Sequence, residues 1–199
     1  MCIRDSYGGR TLKPDGSLEP SSCWGAPSLW SLFLFASGIT TFFPKNSLLD
    51  PESLGSWQRN TVREVGVITG CFLLARRAVW DELGGLDETY WMYGEDADLA
   101  IRARKAGYRP VICPDAELVH EVGKSSDTPV AKTLLLYRGK ASLVRKQFTG
   151  FRRSAGLILL ATGTGLRAAL TKLKSGDAAE RWQTLWRERR DWLKGYQNA

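Results

Sequence analysis

A single histidine, His120, is all that this 199-residue chain contains, which excludes any relay or metal centre built on several imidazoles. Cysteine is scarce as well. Cys2, Cys23, Cys71 and Cys113 show neither CxxC spacing nor the density of a disulfide scaffold, so free thiols in a reduced compartment are the simplest reading. Long apolar runs are missing too. Leu29–Phe43 and Ser154–Leu166 stay uncharged for 15 and 13 residues, short of the roughly 18 to 20 expected of a membrane span. Gly38 interrupts the first run, which reads as a buried or interfacial helix; the second, flanked by Arg152-Arg153 and Arg167, suits a segment lying in the headgroup region. Neither an internal repeat nor a low-complexity tract occurs. Residues 1–6 (MCIRDS) lack both an apolar signal core and a strand pattern; they resemble a recurrent artefact of sequence assembly and are set aside.

What remains is a globular composition, 43% hydrophobic and 25% charged, enough for one core. The net charge of +7 is unevenly placed: residues 130–199 carry 15 Lys+Arg against 4 Asp+Glu, and residues 1–129 carry 13 against 17. A mildly acidic body therefore precedes a strongly basic tail. In the body, Pro14-Asp15-Gly16 has the chemistry of a tight turn between extended pieces. Lys45–Asn60, with Pro51 and Gly55, reads as a flexible insert.

The densest pattern runs from Val65 to Ser126. Val65–Ala75 is apolar and rich in β-branched residues, which predicts a buried strand holding Cys71. A short helix over Arg77–Leu83 is expected to stop at Gly84-Gly85. The aromatic loop Tyr90-Trp91-Met92-Tyr93-Gly94 then leads to Glu95 and Asp96 at the start of a second helix, with Gly107 placed for a left-handed cap. Two short extended pieces follow, Arg109–Cys113 and Ala116–His120. Asp96-Ala97-Asp98 has the letters of a diphosphate-binding acidic pair, but on a helix residues two apart point about 200° from one another and cannot chelate one ion together.

The pieces TGCFLLARR, GGLDE, WMYGEDADLAIRARKAGY and LVHEVGKSS, in this order, resemble the C-terminal half of the catalytic domain of family 2 glycosyltransferases, especially their rhamnosyltransferase-like branch. The resemblance covers roughly residues 7–148 and implies an α/β fold: part of a GT-A fold, a small mixed sheet with flanking helices. Such enzymes also have an N-terminal, donor-binding half with a DxD-type pair, which this sequence lacks, so the chain is expected to be a fragment, inactive alone. The expected division is an acceptor-side half over residues 7–128 and a basic, amphipathic helical tail over 129–199.

The resemblance assigns roles to particular residues. Asp96 becomes the base that takes the acceptor's proton, with Glu95 beside it orienting the acceptor or the loop; otherwise both are an ordinary acidic helix start. At a helix N-terminus, free N–H groups and the helix dipole favour a carboxylate as the anion. His120 becomes a ligand of Mg²⁺ or Mn²⁺. Thr69 and Gly70 would line the donor–acceptor boundary, where glycine lets substrate approach the backbone. Trp91 and Tyr93 would either stack on a sugar ring or pin their loop to the core. Lys124 and Ser125 would meet diphosphate oxygens or belong to a solvated loop. Arg102 and Arg104 read as a solvated helix face.

The implied partners are a nucleotide-sugar donor and a cell-envelope glycan or lipid-linked acceptor. The basic tail, with Trp182, Leu185, Trp186 and Leu193 on one side of its last helix, suits the inner face of the cytoplasmic membrane; packing against the body and plain solubility are the alternatives. A nucleic-acid partner is not expected, since no nucleic-acid module accompanies the charge. The competing function is a non-catalytic peripheral membrane or scaffold module that kept part of the fold.

Overall fold

The computed structural model describes residues 6–120 and 128–197. They form two compact units, one of residues 6–27, 45–87 and 95–120, the other of residues 28–44, 88–94 and 128–197.

The first unit is mixed α/β. Its four-stranded sheet is built from β1 (Ser6–Leu12), β3 (Arg63–Glu64), β5 (Leu73–Ala75) and β6 (Val111–Val119), in the spatial order β3-β6-β1-β5. β1 runs parallel to β6 and antiparallel to β5, and β3 closes the other side antiparallel to β6. A two-stranded ladder joins β2 (Cys23–Trp24) to β4 (Val67–Ile68). Cys23, Val65, Ile68 and Ile112 make the core, with Leu54, Trp57 and Leu73 against it. The Pro14-Asp15-Gly16 turn forms as expected: the Asp15 carboxylate accepts from Ser17 N–H and hydroxyl, Gly16 takes φ +79°, and Leu12 bridges Leu18.

Three expectations change here. Val65–Ala75 is not one strand; β4 and β5 are separated by a 3-10 turn over Gly70–Phe72, which holds Cys71. The cause is room beside β1, where the Phe72 ring occupies the space a side chain on Gly9 would need. The two pieces expected around Arg109–His120 are one strand, β6, whose pairing with β1 slips between Gly9 and Arg10, a bulge that absorbs the irregular middle. The insert at 45–60 is pinned rather than free: Arg59, 2% exposed, donates to the carbonyls of Trp57, Ser53 and Pro20.

Two helices flank the sheet. α3 (Arg77–Leu83) ends on Gly84 at φ +74°. α4 (Glu95–Lys105) buries Asp98, Leu99, Ala100 and Ala103, and Gly107, at φ +93°, lets Tyr108 N–H return to the Ala103 carbonyl. Both stops follow the sequence, because glycine adopts the left-handed cap without steric cost.

The second unit is helical: α1 (Leu29–Ala36), α2 (Ile39–Phe42), α5 (Pro129–Gln147), α6 (Gly150–Thr171), α7 (Asp177–Arg187) and α8 (Arg189–Trp192). A reciprocal Ser28–Ser31 box caps α1, and Thr128 caps α5 through the Ala131 N–H. Tyr137, Ala141, Val144, Leu160, Leu185 and Trp192 centre the core. Trp182 and Trp192 both meet the Tyr137 ring edge-on, at 6.3 and 5.4 Å. Those two tryptophans are thus committed to packing; of the set, Trp186 stays at the surface, 36% exposed. The 13-residue segment of the sequence reading lies inside a 22-residue helix, α6, long and apolar enough by length and composition to cross a membrane.

The aromatic loop belongs to this helical unit. Tyr90, 6% exposed, meets Tyr196 edge-on, and the Tyr196 hydroxyl donates to the Met92 carbonyl at 2.6 Å. Tyr93 takes φ +67°, and its carbonyl oxygen occupies the place where a side chain on Gly139 of α5 would begin. A backbone oxygen cannot yield as a side-chain tip can. Gly139→Ala is therefore expected to destabilise the protein by about 2 kcal/mol or more, read as a lowered urea midpoint at constant m-value.

Candidate active site

The α4 N-terminus brings together two motif pieces that lie 26 residues apart in the chain. Asp96, in the first turn, accepts through Oδ2 from the Gly70 N–H at 3.2 Å and through Oδ1 from the Ala97 N–H at 2.7 Å. Gly70 opens the 3-10 turn between β4 and β5, and no protein atom lies within 4 Å of its Cβ position, so that side of the backbone is open. Thr69, just before it, donates its hydroxyl to the Ser21 carbonyl at 2.8 Å, tying the turn to the start of β2. The Thr69 side chain is thus structural, and its glycine neighbour presents the open face.

Asp96 also borders an apolar cleft lined by Val79, Leu83, Leu99 and Ala100. Here the electrostatics reverse the expectation from the helix dipole. Burial pushes the Asp96 carboxyl above its ordinary value, against the opposing pull of the Ala97 and Gly70 N–H groups. Desolvation by the apolar wall penalises the charged form by more than the two backbone hydrogen bonds favour it. Glu95 is raised too, first by burial and also by the neighbouring Asp96 charge. Its Oε2 is buried with no hydrogen-bond partner among the described residues.

Asp98 has a different task. It is 1% exposed and accepts from Arg102 Nε at 2.7 Å. Arg102 in turn donates to the carbonyls of Leu83 and Gly85 at the end of α3. Asp96 and Asp98 therefore do not act as a pair, as the helical geometry required. Arg102 is half-buried and fully engaged rather than a freely solvated group, contrary to expectation; it locks α4 to the α3 stop. Arg104 likewise bonds Glu64 and the Val65 carbonyl. The sequence signal for Arg102 was its i,i+4 spacing from Asp98, but only burial distinguishes a core ion pair from a surface one.

His120 follows β6, and its N–H donates to the Leu12 carbonyl at 2.8 Å. Its Nδ1 is buried and has no hydrogen-bond partner among the described residues. The Asp96 and His120 elements are related through β1: the Phe72 ring of the turn that holds Gly70 lies against Gly9, and His120 sits beside Leu12. Three residues of strand separate those points, about 10 Å, and no hydrogen bond joins the two side chains. No group of three or more His, Cys, Asp or Glu positioned to hold a metal occurs among the described residues. His120 is thus a single unpartnered donor, and the described residues do not assemble a metal centre.

Trp91 and Tyr93 lie on the loop of the helical unit. Trp91 is 79% exposed, so it does not pin the loop; Tyr90, which sequence reading passed over, does. Lys124 and Ser125 lie outside the described residues.

Relatives of known name match part of the chain. It is 37% identical, over 124 residues, to N-acetylglucosaminyl-diphospho-decaprenol L-rhamnosyltransferase of Mycobacterium tuberculosis. The chain is thus similar in sequence to a named rhamnosyltransferase. That match takes in 61% of this chain and 38% of the mycobacterial enzyme, so the chain spans well under half of its relative. The O-antigen biosynthesis protein RfbC of Myxococcus xanthus is 32% identical over 120 residues, 60% of this chain and 9% of that protein. No family model matches.

Proposed function

We propose that this chain is the acceptor-side part of an inverting, metal-dependent glycosyltransferase with a GT-A-type fold, which moves a sugar from a nucleotide-sugar donor to a lipid-linked glycan of the cell envelope. The observation that carries the reading is the hydrogen bond from Gly70 N–H to the Asp96 carboxylate. It joins the TGCFLLARR and GEDADL pieces of the glycosyltransferase resemblance at one place, beside open backbone. The substrate in that relative's name, an N-acetylglucosaminyl-diphospho-decaprenol, supports a polyprenyl-diphosphate acceptor for this chain.

In this reading Asp96 accepts the proton from the acceptor hydroxyl as its oxygen attacks the anomeric carbon. The raised affinity of Asp96 for protons makes it a stronger base once ionised. The two backbone N–H groups fix the carboxylate so that the acceptor meets it in one orientation. Glu95, unpartnered at Oε2, is placed to hold a second hydroxyl of the sugar. On the helical unit, Trp91 has an exposed aromatic face of the kind a sugar ring stacks on. A divalent cation such as Mg²⁺ or Mn²⁺ would neutralise charge on the leaving diphosphate. His120 is the residue of this chain that would hold it, with the other ligands drawn from the diphosphate and from groups beyond the described residues.

The test is transfer of radiolabelled sugar to a polyprenyl-diphosphate acceptor by an active enzyme containing this chain. His120→Ala is expected to raise the Mn²⁺ concentration giving half-maximal rate by roughly tenfold or more. An unchanged metal dependence would remove His120 from the site, and absence of sugar transfer would favour the non-catalytic module instead.

A further inference from the structure

The outward face of α6, with the turn that follows it, carries large apolar side chains from end to end. Phe151, Ile158, Leu170 and Leu173 are 77, 63, 67 and 98% exposed. With Ser154, Thr162 and Leu166 between them they follow the three- and four-residue steps of one helical stripe. No charged residue occurs between Arg153 and Arg167. The inward face buries Leu160 and lets neighbours approach closely at its glycines: Gly156 packs against Val144, Gly163 against Phe35 and Gly165 against Trp186. Large apolar groups on the opposite face as well are not what a helix whose outer face meets water presents.

The stripe continues onto the neighbouring helices. Leu166 lies 3.9 Å from the Cβ position of Gly38, at the corner between α1 and α2. Beyond that corner Phe42 and Phe43 are 80 and 52% exposed, and on α1 the stacked rings of Trp30 and Phe33 are 48 and 45% exposed. An exposed apolar area of this kind marks a binding surface.

Charge selects the partner. Residues 128–176 hold ten Lys+Arg and no Asp or Glu, and residues 28–44 hold no charge at all. Arg152 and Arg153 stand exposed at one end of the stripe, and Lys172 and Lys174 at the other. An apolar band edged at both ends by cations, with no anion among them, complements a layer of acyl chains beneath anionic headgroups.

We propose that α6 and the α1–α2 corner form a membrane-docking face, with α6 lying in the plane of an anionic bilayer at the boundary of headgroups and acyl chains. This keeps the expected headgroup placement of residues 154–166 and extends it to the whole outward stripe of α6 and the α1–α2 corner, while Trp182, expected at the same surface, packs against Tyr137 in the core. It deepens the lipid-acceptor reading, yet vesicle binding needs neither donor nor acceptor, so the two can fail separately.

Flotation of the full chain with vesicles tests it. Binding is expected to phosphatidylcholine vesicles containing phosphatidylglycerol, at least tenfold weaker to phosphatidylcholine alone, and released by alkaline carbonate. The triple variant Phe151→Ser/Ile158→Ser/Leu170→Ser and the pair Arg152→Glu/Arg153→Glu should each weaken partitioning tenfold or more, whereas Trp186→Ser should not. If a variant fails to fold, the unaltered chain still decides the matter: a photoactivatable phospholipid should label peptides within residues 28–44 and 150–174 in preference to 177–197. Equal binding to neutral vesicles, retention after carbonate, preferential labelling of 177–197, or an α6-dependent dimer or protein complex in place of vesicle binding would each overturn the proposal.

Discussion

Replacing Asp96 with Asn in an active enzyme containing this chain is expected to lower kcat by roughly 10²- to 10⁴-fold, the usual contribution of a positioned base. Because Asn keeps the shape and can still accept from the Gly70 N–H, KM for the acceptor should change little. A carboxamide in that place cannot take a proton, so the loss falls on the chemical step. The pH dependence follows from burial. The Asp96 carboxyl holds its proton above the ordinary value of 3.8, so the wild-type rate should rise with pH through that elevated range, and the limb should vanish in the variant.

Stability must move the other way. In the native state Asp96 binds its proton more tightly than in the unfolded chain, so its ionisation opposes folding. That contribution is fully present below the unfolded value and fades as pH rises through the raised folded value. Asp96→Asn should flatten this slope, read from urea midpoints measured on both sides of the window. A variant with normal transfer at every pH would take the base assignment away from Asp96.

The second large effect concerns stability alone. Arg102→Ala is expected to destabilise the protein by about 3 to 5 kcal/mol, because it leaves the buried Asp98 carboxylate without its cation. It also removes the donors to the Leu83 and Gly85 carbonyls, so the stop of α3 should loosen along with α4. Lysine should rescue little, since one ammonium cannot reproduce the forked contact to a carboxylate and two carbonyls. The double variant Asp98→Leu/Arg102→Met should recover much of the loss, because two apolar groups leave no buried charge unpaired. Chemical denaturation of the three proteins distinguishes this from a surface ion pair, for which all three would stay within about 1 kcal/mol of wild type.

Local chemistry was legible directly from the sequence: the glycine stops of α3 and α4, the Pro14-Asp15-Gly16 turn, the helices of the tail and the place of Asp96 in a first turn. Each is decided by φ preference or by apolar spacing within a few residues. The same short range explains why Asp96 and Asp98 could be separated beforehand, as their directions on a helix are fixed by the helical step. The resemblance to glycosyltransferases was also legible, since the motif pieces are contiguous runs of residues.

What tertiary structure alone decided depends on which groups lose water. Asp96 was expected to be held ionised by the helix terminus, but an apolar wall from β4, α3 and α4 reverses the sign. Arg102 reads as solvated until Asp98 is found buried beside it, and Val65–Ala75 reads as one strand until Phe72 turns in against Gly9. Trp182 looks interfacial until its ring is found against Tyr137 in the core, which leaves the exposed stripe of α6 as the larger apolar surface of the tail. In each case the residue types were plain from the start. Their solvation was set by segments tens of residues away, and the energies that matter here, desolvation and packing, exist only once those segments have met.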